Sequence, residues 1–201
     1  LQGRTEEARH QLAAVEALGT RDDVQDQGLL LTARAMTAAA KNDPLHAFDY
    51  AVEATRLTHQ TFGLLNEGFR QAWPLAVEAA LALGRGDRVQ ELLTLVSAAP
   101  PATVPPYLRG QLLRLQALLA SRTHTGDNID ADLRAAITIM NDLGYPYWRA
   151  RIQLDLGTWL NSTGQANESA TVVQQALTTF EILGAQPLIA KAQQLLSAMS
   201  K

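Results

Sequence analysis

Four times along this chain a run of helix-forming residues stops for a few positions and then resumes with the same apolar stepping. The pattern is plainest over residues 156 to 187, LGTWLNSTGQANESATVVQQALTTFEILGAQP. Ala166, Ala170, Val173, Leu177, Phe180 and Leu183 recur at steps of three and four, the spacing of one buried face of an α-helix. Gly164 marks the start of this arm and Gly184 its end, with Pro187 beyond, where a proline can no longer continue a helix. The preceding arm begins after Pro146 and carries Trp148, Ile152, Leu156, Trp159 and Leu160 on one side. The two arms predict an αα-hairpin.

A lone hairpin cannot bury both apolar faces, so neighbours of the same kind are required. They are present upstream. One runs from 29 to 57, broken at Lys41-Asn42-Asp43, where Asp43 is placed to cap a helix that begins at Pro44. A second runs from 72 to 96, broken at Gly84-Arg85-Gly86, where Asp87 is expected to cap the following arm. A third runs from Tyr107 to Leu143 around the break THTGDNID. The small or aliphatic residue that opens each second arm falls at Ala47, Val89, Ala131 or Asp132, and Ser169, a loose period of about 40, close to HEAT-like lengths. Alternating β-branched residues are absent and Ala, Leu, Gln, Glu and Arg fill the arms, so no strand is expected. The proline-rich stretch SAAPPATVPPYL at 97 to 108 interrupts the series. We read residues 1–201 as a single helical repeat domain with a long internal loop; a subdivision at 98–106 would instead give 1–97 and 107–201.

Composition narrows the function classes. With 47% apolar residues, 18% charged residues and a net charge of −3, the protein has material for a core and no overall positive field for nucleic acid or anionic membranes. Cysteine is absent, which removes disulfides and thiolate chemistry. The longest apolar stretches, such as PLAVEAALALG, fall short of a membrane span. No secretory signal is visible, so a cytoplasmic location is expected and the sequons at Asn161 and Asn167 are read as chance. The opening LQGRTEEARHQL reads as mid-helix, and a longer parent protein is expected.

No catalytic pattern emerges. His10, His46, His59 and His124 lack metal-ligand spacing; GRGDR at 84 to 88 is a turn and not a phosphate loop, and its Arg-Gly-Asp tripeptide has no partner without secretion. Glu6-Glu7 and Asp22-Asp23 are paired carboxylates without a site around them, and Asp127, Asp130 and Asp132 lack the closing Glu of a calcium loop. Asp130 is expected to cap the helix starting near it. The expectation is therefore a non-enzyme, without metal or cofactor.

The hairpin at 146 to 187 resembles a tetratricopeptide-type repeat through Leu156-Gly157, Leu160, Gly164, Ser169-Ala170 and Ala176, with Trp73 where that family often carries a Trp. In the earlier units Ala35 and Val77 replace the first-helix Gly. Residues 180 to 196, FEILGAQPLIAKAQQLL, are similar to the end of the repeat region in large bacterial ATP-dependent transcriptional regulators of the LuxR type and in adenylate or guanylate cyclase fusions. The resemblance implies an all-α, right-handed superhelix of about four antiparallel helix pairs with an extra helix at each end, the last from about Gln186 to Met199. It implies a non-catalytic protein-interaction or sensory scaffold in a multidomain bacterial signalling or transcriptional regulator. Partners would be a protein or peptide, or other domains of the parent protein.

In such an array the first arms line the concave face, which would place Arg70, Gln71, Glu78, Gln111, Arg114, Arg151 and Asn161 there. Arginines on one groove wall would suit an acidic segment or the terminal carboxylate of a peptide; the plainer reading is a solvated helix face. Tyr145, Tyr147 and Trp148 fit packing between hairpins better than an exposed docking patch. Two further readings are a small-molecule sensor lined by Trp73, Trp148 or Trp159, and a self-association module forming a homo-oligomer.

Overall fold

The computed structural model describes residues 2–17, 23–125 and 128–199. Among them the regular structure is helical throughout: α1 (Thr5–Ala17), α2 (Val24–Ala40), α3 (Pro44–Phe62), α4 (Glu67–Ala82), α5 (Gly86–Ser97), α6 (Pro106–Thr123), α7 (Ile129–Asp142), α8 (Pro146–Ser162), α9 (Ala166–Leu183) and α10 (Gln186–Met199). Single 3-10 turns at Gly63–Leu65 and Pro101–Thr103 punctuate the chain. The second of these, with the prolines around it, occupies the connection before α6. The protein divides into two compact units, Arg4–Leu108 and Arg109–Lys201 with Leu1–Gly3, the division falling inside α6.

In Arg4–Leu108, α2 packs on α3, α3 on α4, and α4 on α5. Small side chains let these helices come close: Ala47, Ala51 and Ala54 on α3 and Ala72, Ala76 and Ala80 on α4 are all buried. Thr58 is keyed between neighbours, since a Cβ added at Gly28 of α2 or at Gly68 of α4 would meet its methyl group at 2.5 and 3.0 Å. The buried hydroxyls of Thr32, Thr55 and Thr58 donate to the carbonyls four residues back at 2.7 Å, which satisfies them inside an apolar interface. Phe69 and Trp73 stack at 6.3 Å on α4, and the Trp73 indole N–H donates to the Leu92 carbonyl of α5 at 2.7 Å.

In Arg109–Lys201, α7 packs on α8, α8 on α9 and α9 on α10. The core gathers Ala150, Leu154, Val173, Ala176, Leu177, Phe180 and Ala192, with Leu188, Ile189, Leu195 and Leu196 of α10 packed against it. Gly110 lets α6 approach α7, because a Cβ there would meet Met140 at 2.7 Å and Ile139 at 3.2 Å. Gly157 does the same between α8 and α9: a Cβ would overlap the Val173 side chain, and the Ser169 hydroxyl donates to the Gly157 carbonyl at 2.7 Å. Gly157→Ala is expected to cost about 1–3 kcal/mol by overpacking, even though Ala is the better helix former. Adding Val173→Ala should return part of that loss in urea unfolding, and additive losses would argue against the contact.

Chain punctuation follows local chemistry. Asp43 caps α3 as expected, accepting from the His46 backbone at 3.2 Å with Pro44 opening the helix. Asn66 caps α4 through the backbone N–H groups of Gly68 and Phe69. Gly184 closes α9 with φ 64°, a left-handed position that suits glycine. Two expected caps are displaced. Gly84 turns the backbone at φ 67° and α5 already starts at Gly86, so Asp87 lies within its first turn. Likewise α7 starts at Ile129, and Asp130 bonds Arg134 at 2.7 Å instead of capping the helix. In both places the carboxylate still faces the positive end of the helix dipole.

The fourth residues of α3, α5 and α9 are Ala47, Val89 and Ser169, all buried. The fourth residue of α7 is Asp132, half-buried, and burial raises its carboxyl above the ordinary range. A carboxyl raised in the folded state penalises folding when ionised; the penalty is full above the folded value and disappears as pH falls through it toward the unfolded one. Asp132→Ala should therefore melt higher than the parent at pH 7, with the gap narrowing toward about pH 3. A gap independent of pH would exclude this cause.

Candidate functional site

The first-arm residues in Arg4–Leu108 sit on α4. Arg70 and Gln71 both bond Glu67, at 3.2 and 2.9 Å, and the Arg70 guanidinium lies 5.0 Å from the Tyr107 ring centroid. Glu78 is half-buried two turns further on. These side chains lie along a half-buried helix face whose polar groups largely hold one another.

One side of α8 is enclosed. Ala150, Ile152, Gln153, Leu154, Leu156 and Leu160 are buried, as is Gly157. At about 100° per residue, Trp148, Arg151, Asp155, Trp159 and Ser162 fall on one narrow strip, and every one of them keeps part of its surface open. Within it the Trp148 ring lies beside two guanidinium groups, Arg114 at 5.8 Å and Arg151 at 5.9 Å, and Tyr147 meets the indole edge-on at 5.1 Å. Arg151 also donates to the Tyr147 hydroxyl at 3.3 Å.

Arg114 is 1% exposed, and its Nε donates to Asp155 Oδ2 at 2.6 Å. Gln111, fully buried, accepts from Arg114 Nη1 at 3.3 Å. Both residues were expected on an open groove wall; instead they lie beneath it, because α6 turns this face toward α8. Arg114 and Arg151 are brought together at Trp148, while half-buried Asn161 lies about a third of a turn away from the strip. Asp155 is the residue that the sequence reading passed over. Its signal was available in the steps from Trp148 to Arg151, Asp155 and Trp159, which hold one helical face.

Other candidates resolve into structure. Trp73 is fully buried between α4 and α5. Arg85 of the Arg-Gly-Asp turn stacks 4.9 Å over the Phe48 ring. His46 bonds Asp43 and His59 lies 5.2 Å from Phe69. Asp22 and Asp127 lie outside the described residues. Arg134 joins Asp130 of α7 to Glu168 of α9 at 2.7 and 2.6 Å, an exposed strut. Among the described residues no group of three or more metal-ligating side chains converges, and no helix is long and apolar enough to cross a membrane. No family model and no curated protein matches this sequence.

Proposed function

We propose that the protein is a non-catalytic, tetratricopeptide-like array of four helix pairs that binds a partner protein or peptide, the regulatory arm of a multidomain bacterial regulator in the cytoplasm. The succession of helices supports the repeat reading: the second helices of the pairs begin at Pro44, Gly86, Ile129 and Ala166. The resemblance of residues 180 to 196 to regulator repeat regions supports the parent context.

The observation that carries the binding reading is the makeup of the open strip of α8. A solvated helix face ordinarily carries Lys and Glu, and α8 has neither. Its open side instead holds two half-buried tryptophans, Arg151 and Asp155 beside the exposed Thr158 and Ser162, and Trp and Arg are enriched at binding hot spots. The test is selection of a random dodecapeptide library displayed on phage against the immobilised protein. Enriched peptides should lose affinity for Arg151→Glu and Trp159→Ala variants of unchanged helicity. Failure to enrich any peptide, or binding indifferent to both variants, would overturn the reading. Arg114 is the wrong residue for this test, since reversing a buried charge beside Asp155 would disrupt the fold.

A further inference from the structure

We draw no further inference here: the strongest candidate, the apolar surface patch at the turn between α3 and α4 where Phe62 and Leu65 stay 43% and 76% exposed, carries none because nothing in the structure shows what covers it.

Discussion

Replacing Trp73 with Ala should lower stability by about 3–5 kcal/mol, the range for deleting a large buried aromatic. Trp73 is fully buried, stacks on Phe69 and donates its indole N–H across to α5. Truncation would leave a cavity that alanine-lined helix faces cannot collapse to fill, because their backbones already sit close. Trp73→Phe separates the two contributions. It keeps much of the volume and loses the bond to the Leu92 carbonyl, for an expected cost of about 1–2 kcal/mol from the bond and the smaller ring together. Urea unfolding followed by circular dichroism checks both. A loss below about 1 kcal/mol for the Ala variant would mean that α4 and α5 are held together by something other than this side chain.

The second large effect concerns charge in the interior. Asp155→Ala should cost about 3 kcal/mol, because it removes the carboxylate against which Arg114 is buried. The penalty comes from a buried guanidinium that loses the carboxylate bonded to its Nε, and the intact pair itself is worth much less. Replacing both residues by apolar ones of similar size, Arg114→Met with Asp155→Leu, should therefore recover most of the stability. If the double variant is as unstable as the single one, the pair is a net contributor to the fold.

How much of this was legible in sequence varies with the physics behind each feature. The α8–α9 hairpin was readable almost residue by residue, because Val173, Leu177 and Phe180 keep helical spacing and Gly164 and Gly184 mark the breaks. The start of α4 was not. Its apolar pattern is strong only from Ala72, and Pro74, which removes a backbone donor, looks like an opening residue; in the structure it lies inside a helix that Asn66 caps six residues earlier than Ala72. Caps at Asp87 and Asp130 were misplaced by a residue or two for a related reason. Asp is favourable both as a cap and in the first turn, so its presence locates a helix start only to within that turn.

The candidate site was legible in part. Arg151 was visible as a surface arginine, but the burial of Gln111 and Arg114 depends on which side of α6 meets α8, and polar residues give no periodicity from which to read that side. Helical spacing places Asp155 on the same face as Arg151, but nothing in that spacing gives its partner 41 residues away. Long-range ion pairs leave no local trace in sequence.

Thr58 shows why repetition in sequence and independence in folding are different properties. Its methyl group occupies space that glycines open on both α2 and α4, so α3 belongs equally to the helix before it and to the helix after it. A gene segment cut between α3 and α4, at what reads as a repeat boundary, would separate two sides of one socket. Insertion, deletion or exchange of pairs during evolution would have to carry both glycines along with the threonine. The inheritable module in this half of the protein is three helices long, although the pattern that announces it is written in twos.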